Sequence, residues 1–316
     1  MPALLRVVAS RLGGAVLVVW GAASCAFLAL HLIPGDPVNA IVGSNSLVGD
    51  EQRAEVRHHY GLDQPLAVQY LRYLLRLAHG DLGDSYQLQQ PVSSVLSAQF
   101  RPTAELALWA TLVAVALAVA VAVLTSGHSR LPRRVSAAIE LVVVSTPSFW
   151  LGIVLLTVFS FRLGWLPVSD GDDVRSLVLP VATLALPIAA VLIPVVREGL
   201  LRALEQPFAQ TARARGLAEP AVRVRHGLRH AALPALTLTG WFTGTLLGGA
   251  VVVEDVFARS GIGRVTLQAV EGRDLPVVQG VVALSAVVFV AVGALIEVLY
   301  ALVDPRLREG TGVTAA

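Results

Sequence analysis

Lysine is absent from this sequence, so all 24 lysine or arginine positions among its 316 residues are arginines. A P-loop that hydrolyses ATP needs a lysine against the phosphates, and this chain therefore cannot carry an ordinary one. Schiff-base catalysis through a lysine is excluded for the same reason. The single cysteine, Cys25, allows neither an intrachain disulfide nor a cysteine-rich zinc site.

Charge of either sign is also scarce. Charged residues make up 15% of the chain and hydrophobic residues 55%, with a mean hydropathy of +0.70. A soluble domain carries roughly a quarter charged residues. The basic pI is not accompanied by a basic face with interleaved aromatic residues, so we expect no nucleic-acid partner. No internal repeat or low-complexity segment is visible. This composition predicts a membrane protein.

The sequence is rich in long apolar runs. A helix that crosses a bilayer needs about 20 mainly apolar residues. Six segments qualify, at roughly residues 7–33, 104–125, 137–161, 177–196, 235–253 and 277–302. The first run is too long for a signal peptide and ends in Pro34-Gly35-Asp36-Pro37 rather than in a cleavage site, so we expect it to remain as an anchor.

The six runs predict an all-α, polytopic membrane protein in three parts. These are the N-terminus with the first span (1–33), an external segment (34–102), and spans two to six (103–316).

Arginines are unevenly divided between the two sides that six spans define. Fourteen of the 24 lie on the side of both termini, close to span ends, and five of the other ten lie in the long segment 34–102. The fourteen are Arg6, Arg11, Arg130, Arg133, Arg134, Arg197, Arg202, Arg213, Arg215, Arg223, Arg225, Arg229, Arg306 and Arg308. The positive-inside rule then places both termini, and the loop between spans four and five, in the cytoplasm.

The external segment is predicted to be helical. Asp50 suits the cap of a short helix that ends near Gly61, and Pro65 suits the first turn of another. Leu66, Tyr70, Leu74 and Leu77 then recur at helical spacing, which predicts an amphipathic helix. Two roles stay open: a cap that packs on its own helices, and a contact surface for an extracytoplasmic partner.

The loop at about residues 197–233 holds seven of the arginines. Its residues up to Arg215 favour helix, with an interruption at Pro207. Gly216 suits the end of that helix, Glu219-Pro220 suits the start of the next, and Pro234 marks the start of span five. A helix, a tight turn and a second helix are therefore predicted on the cytoplasmic face.

Small residues in this loop let a partner surface approach its backbone, and the arginines suit acidic partners or anionic lipid headgroups. A plain positive-inside loop without a partner is the alternative that the charges alone leave open.

The stretch "TARARGLAEP…RVRHGLRHAALP" resembles the cytoplasmic coupling motif of binding-protein-dependent ABC-transporter permeases, in the form found in dipeptide and oligopeptide permeases. Other stretches match that branch in order: "HLIPGDPV", "YGLDQPLAVQYLRYL", "GDLGDS", "TPSFWLG", "RLGWLPVS", "GIGR", "RDLPVVQG" and "LYALVDPRLR". The sequence departs from the family pattern at Gln210-Thr211, where the general motif begins Glu-Ala. Ser260 stands where proline is expected before Gly261.

The resemblance implies the fold of a type I ABC importer permease in a bacterial inner membrane. Its implied partners are a second permease, two ATPase subunits or domains, and an extracytoplasmic peptide-binding protein. The chain itself is then no enzyme and holds no cofactor, since ATP and Mg lie on the ATPases. The cargo would be di- or oligopeptides, with nickel complexes or glutathione as alternatives. The expected ATPase-coupling residues are Ala212, Arg213, Ala214, Arg215, Gly216 and Leu217.

Span five carries glycines at intervals of four. Gly240, Gly244 and Gly248 form a face that suits close helix packing. The same face, with Thr237 and Thr243, is also a candidate lining of the pathway.

Titratable residues within the apolar part give weaker indications. Acids at membrane depth are costly and suggest function, but we expect Glu105 and Glu140 to lie near a wet interface and Glu297 to serve helix pairing. His226 and His230 have the spacing of zinc ligands on a helix but no third ligand, so we expect solvated side chains. An intramembrane enzyme lacks its motif here, and a secondary transporter lacks its inverted repeat.

Overall fold

The computed structural model describes residues 2–32, 37–42, 49–127, 129–168 and 173–303. Their regular structure is helical, apart from an isolated bridge between Asp84 and Pro91. The helices are α1 (Pro2–Leu32), α2 (Pro37–Val42), α3 (Asp50–His59), α4 (Leu66–Ala78), α5 (Val92–Thr125), α6 (Arg130–Ser145), α7 (Ser148–Leu155, extended by π-helical Leu156–Arg162), α8 (Val174–Leu204), α9 (Pro207–Ala214), α10 (Glu219–Val222, extended by π-helical Arg223–Gly227), α11 (Leu228–Val256), α12 (Ile262–Glu271) and α13 (Leu275–Val303). The tail motif with Arg306 and Arg308, and "IPGD" at 33–36, lie outside the described residues.

Five helices in the described part are long and apolar enough to cross a membrane: α1, α5, α8, α10 with α11, and α13. The predicted third span, 137–161, is not one continuous helix. α6 and α7 are bent by 105° at a short break. Pro147 lacks an N–H and disfavours helical backbone before it, and Thr146 is accordingly extended with ψ 125°. Six spans are reached only if this bent pair counts as one.

Two helices extend beyond the apolar spans that the sequence predicts. α5 begins at Val92, well before residue 104, because Val92 is buried in a cluster with Ile262 and Val277 and the helix continues that packing. α11 contains Pro234 rather than starting at it. Packing of the buried Ala231 against α8 holds the helix together on the N-terminal side of that proline.

The chain forms two compact units, residues 1–102 with 261–290, and residues 103–260 with 291–316. In the second unit α8 is the central helix, with 67% of its most apolar stretch buried. Alanines of α5 and aliphatic residues of α11 surround it. A Cβ at Gly199 would lie 2.7 Å from Cβ of Ala231. α8 and α11 therefore cross almost backbone to backbone at the two ends of the segment 197–233.

The first unit holds α4 against α1. Tyr73 is buried with Ala23 and Phe27 of α1, and Tyr70 forms a hydrogen bond of 2.7 Å with Ser24. The predicted amphipathic helix is confirmed, and this packing fits a cap on the chain's own helices. Leu71 on the opposite face is 58% exposed. The short helix α3 has Gly49 as its N-cap, and Asp50, predicted to be the cap, is its first helical residue.

A second cluster in this unit fixes the segment between α4 and α5. Asp274, 2% exposed, accepts hydrogen bonds from Ser85 Oγ at 2.5 Å and from the N–H groups of Tyr86 and Gln87 at 3.1 Å. Burial raises the pKa of Tyr86 to about 12, against the lowering effect of Arg76. The motifs "GDLGDS" and "RDLP", distant in sequence, therefore meet in one hydrogen-bonded site.

Candidate functional site

The arginine loop, residues 197–233, has the predicted helix–turn–helix form. α9 begins at Pro207, whose missing N–H costs nothing in a first turn. It ends in a Schellman motif, with Leu217 N–H donating to Ala212 O at 3.2 Å and Gly216 N–H to Arg213 O at 2.9 Å. Gly216 has φ +82°, and a Cβ there would meet nothing within 4 Å. Conformation alone, not crowding, requires glycine at this turn.

The second helix restarts three residues later. Ala218 is extended and caps α10, and Pro220 lies in its first turn, as predicted. The backbone then passes through the π-helical residues 223–227 into α11. Gly227 allows this passage, since a Cβ there would lie 2.9 Å from Leu200 Cδ2 of α8.

The loop has a small apolar core of its own. Ala209, Ala212 and Val222 are buried, and Phe208 and Leu217 pack against them. Ala212, one of the expected coupling residues, is only 6% exposed and faces this core. Its small size lets α9 and α10 approach each other.

Arginines of the loop are divided between inward and outward positions. Arg213 donates to Glu219 Oε1 at 2.6 Å and to Leu204 O, the last residue of α8, at 3.2 Å. Arg223 donates to Val123 O of α5 at 3.3 Å. Arg215 is exposed, as are its neighbours Ala214 and Gly216. The outward surface of the turn is therefore small residues beside one arginine.

The loop's two histidines lie beside Phe208. Phe208 stacks on His230 with ring centroids 4.9 Å apart, and His226 lies 6.5 Å from the same ring. Both histidines are exposed. No group of three or more potential metal-binding side chains occurs within the described residues.

A buried ion pair lies where the loop joins α8. Arg197 donates to both carboxylate oxygens of Glu140 at 2.8 Å, and Ser136 donates to the same carboxylate at 2.5 Å. Arg197 also reaches Thr125 at the end of α5, at 3.3 Å. Glu140 is 8% exposed, so the expectation that it would be wet was wrong. Arg197 comes to it from a segment 57 residues away.

Sequence reasoning also missed another buried carboxylate. Glu254, at the end of α11, is fully buried and accepts a hydrogen bond from Thr103 at 2.6 Å. A buried acid needs such donors, and the only signal in the sequence was its place next to a long apolar run. Glu105 is half-buried and Glu297 is exposed on α13.

The candidate pathway residues of α11 fall into two groups. Gly240 and Gly244 are buried, and a Cβ at Gly240 would lie 2.5 Å from Ile296 Cγ1 of α13. Gly248 is exposed, and a Cβ there would meet nothing within 4 Å.

Both threonines of this set have hydroxyl partners. Thr237 accepts from Tyr300 at 2.5 Å, and Thr243 shares a hydrogen bond of 3.2 Å with Thr111 of α5. Helix packing therefore accounts for Gly240, while the face around Gly248 is open.

These features define a class: a polytopic, all-helical membrane subunit that presents a braced loop of two short helices. Residues 94–309 match the family model described as "Binding-protein-dependent transport system inner membrane component", and residues 4–107 match the model of its N-terminal part. The chain belongs to this family and is the permease subunit of an ABC importer, a multi-pass protein of the inner membrane. Its family works with a binding protein and ATPase components.

Relatives of known name match over nearly the whole chain. "Glutathione transport system permease protein GsiC" of Salmonella paratyphi A is 38% identical, covering 96% of this chain and 99% of the relative. The protein of the same name from Escherichia coli K12 is 36% identical with the same coverage. A crystal structure of an amino acid ABC transporter with histidines has a similar fold, with a TM-score of 0.51 and 16% identity, over 66% of this chain and 93% of that one.

Proposed function

We propose that this permease forms one half of a pathway that imports short peptides, with glutathione the first to test. The supporting observation is the full-length likeness to permeases named for glutathione transport, at 38% identity. Glutathione is a tripeptide, so it belongs to the peptide class that the sequence motifs imply. A second permease subunit completes the pathway, and an extracytoplasmic binding protein delivers the cargo.

The termini and the arginine loop lie in the cytoplasm in this proposal, and the segment 34–102 lies outside. The distribution of arginines supports this orientation. The chain has no catalytic role of its own. ATP and Mg bind to the partner ATPases, which supply the lysine-containing P-loops that a chain without lysine lacks.

The ATPases dock on the outward surface of the arginine loop. Ala214, Arg215 and Gly216 are exposed at the turn and suit this contact, since small side chains let a partner reach the backbone. Ala212, Arg213 and Leu217 support this contact indirectly. They form the apolar core and the ion pair that hold the turn in shape. The six expected coupling residues are therefore of two kinds: three contact the ATPase, and three hold the turn in shape.

Two further surfaces complete the proposal. Gly248, with Thr237 and Thr243, borders the pathway, where bare backbone and hydroxyl groups suit the amides of a peptide. Gly240 and Gly244 are buried, and their role is the packing of α11 rather than the lining of the pathway. The outer face of α4, with exposed Leu71 and Leu75, contacts the binding protein.

Reconstitution tests the function. The chain is purified with its second permease and ATPases, placed in proteoliposomes with the binding protein, and supplied with labelled glutathione and ATP. We expect uptake that requires ATP and that unlabelled di- and tripeptides reduce. Uptake by this chain without any ATPase would instead make it an autonomous transporter, and uptake of nickel complexes alone would overturn the peptide assignment.

The docking surface has its own test. Arg215→Glu is expected to abolish co-purification of the ATPases, because it reverses the charge of the exposed turn. Arg134→Glu, an exposed arginine of α6 outside the loop, is the matched control and should leave co-purification unchanged. Equal co-purification of both variants with wild type would contradict docking at this turn.

A further inference from the structure

Glu219 stands between two arginines of the loop. Its Oε1 accepts from Arg213 Nε at 2.6 Å, and its Oε2 lies 4.0 Å from Arg223 Nη2. The side chains of Arg213 and Glu219 are about one-third exposed and that of Arg223 is 14% exposed. The carboxylate therefore accepts a hydrogen bond from α9 and lies at ion-pair distance from the first residue of the π-helical segment after α10.

Each arginine also binds the end of a long helix. Arg213 Nη1 donates to Leu204 O at the end of α8, at 3.2 Å. Arg223 Nη1 donates to Val123 O in the last turn of α5, at 3.3 Å. A Cβ at Gly127, just beyond α5, would lie 3.3 Å from Arg223 Nη2, so glycine leaves room for this guanidinium.

The chemistry of these contacts suits arginine. The last carbonyl groups of a helix lack intrahelical donors and carry partial negative charge, so a cation that donates to them is stabilising. A guanidinium has donors on three nitrogens in a fixed plane and can bind a carboxylate and a carbonyl together. Lysine offers one ammonium at the end of a flexible chain and holds such a bridge less rigidly.

α5 and α8 are also joined directly to each other. Arg197 of α8 binds Thr125 at the end of α5, as well as Glu140 of α6. α5 and α8 are thereby fixed to each other, and the loop is fixed to both.

We propose that Glu219 is a positioning residue that locks Arg213 and Arg223 onto the ends of α8 and α5, so that the loop and these helices move as one body. Movement of a docked ATPase is then transmitted to the transmembrane helices, because the loop does not deform between them and the ATPase. This inference rests on the proposed ATPase docking at the turn, but it concerns a residue behind the docking surface.

Glu219→Gln tests the proposal in the reconstituted complex, with Glu219→Asp as the conservative variant. Glu198→Gln is the matched control, since Glu198 forms an exposed ion pair with Arg202 at 2.9 Å in the neighbouring turn of α8. ATPase co-purification and peptide molecules imported per ATP hydrolysed are measured for each.

In Glu219→Gln we expect intact co-purification and continued ATP hydrolysis, with import per ATP reduced about tenfold, the size of effect that follows loss of a charge-assisted hydrogen bond. Glu219→Asp should recover part of this ratio, and Glu198→Gln should match wild type. An unchanged ratio in Glu219→Gln overturns the inference. Loss of co-purification overturns it as well, because Glu219 would then be a contact residue.

A distance measurement separates locking from general stability. Cys25 is the single native cysteine, so Cys25→Ser gives a background in which Arg202→Cys on α8 and Ala218→Cys in the turn carry spin labels. We expect one narrow distance distribution, unchanged between nucleotide-free and ATP-bound complexes. Adding Glu219→Gln should broaden it in both states, and an equally narrow distribution would refute the lock.

The two proposals fail in different ways. If Arg215→Glu leaves the ATPases bound, docking at the turn is wrong. If Arg215→Glu removes them and Glu219→Gln changes neither the import ratio nor the distances, docking stands and the positioning role is wrong.

Discussion

A buried carboxylate is costly unless a cation and further hydrogen-bond donors contact it, and Glu140 has both. Arg197 binds both of its oxygens at 2.8 Å, and Ser136 donates to one of them. The geometry is bidentate, which adds directional specificity to the attraction. Because the pair joins α6 to α8 beside the arginine loop, it fixes the place of a helix that the break at Pro147 leaves short.

Arg197→Met is expected to destabilise the protein by about 3–5 kcal/mol, because it leaves Glu140 buried without its cation. The double variant with Glu140→Leu should recover most of this loss, since two apolar side chains replace the pair. Arg202→Met, in the exposed pair with Glu198, is the control and should cost about 0–1 kcal/mol. Thermal unfolding of the purified protein in detergent measures all three. A single variant as stable as the control would show that the pair contributes nothing.

Replacement of Gly216 is expected to cost conformational energy rather than packing energy. With φ +82° and open space where a side chain would project, asparagine should be tolerated, whereas valine should lose about 1–2 kcal/mol of turn stability. We therefore expect Gly216→Asn to retain ATPase co-purification and Gly216→Val to lose most of it. Gly248→Val, at an open position without positive φ, controls for bulk alone. Equal co-purification with Gly216→Val and wild type would mean that the turn is not required.

At the scale of elements, sequence patterns predicted the features that interactions between neighbouring residues determine. The two loop helices, the turn at Gly216 and the long apolar helices follow from capping signals and hydropathy, which act within a few residues. Most of what the sequence did not reveal depends on packing between distant segments. The start of α5 at Val92 and the partner of Glu140 are set by contacts with residues far along the chain. The bend before Pro147 is a local effect of proline that the continuous apolar pattern of residues 137–161 concealed.

Close crossings of helices distinguish the glycines of α11. Gly240→Leu is expected to force α11 and α13 apart, since even a Cβ would lie 2.5 Å from Ile296 Cγ1. Overpacking of this sort typically costs about 1–3 kcal/mol. Gly248→Leu on the same helix meets nothing within 4 Å and should leave the melting temperature unchanged. Adding Ile296→Ala should restore part of the stability of Gly240→Leu, and failure of that rescue would place the fault elsewhere than at this crossing.

For the whole molecule, the distribution of arginine ties topology to mechanism. Fourteen of the 24 arginines lie on the side of the termini and of the loop. In the proposed orientation, retention of these positive regions in the cytoplasm during insertion puts the loop on the side where ATP is found. The same charges then serve a second purpose, because Arg213 and Arg223 brace the loop and Arg215 remains exposed.

Labelling of single cysteines measures this orientation directly. In the Cys25→Ser background, Asp63→Cys in the external segment should react with a membrane-impermeant maleimide in intact spheroplasts. Ala218→Cys in the loop, which is also exposed in the fold, should react only in inverted vesicles, because in spheroplasts the membrane separates it from the reagent. Reaction of Ala218→Cys in intact spheroplasts would place the loop outside, where no cytoplasmic ATPase can bind it. That result would refute the coupling role of the arginine loop.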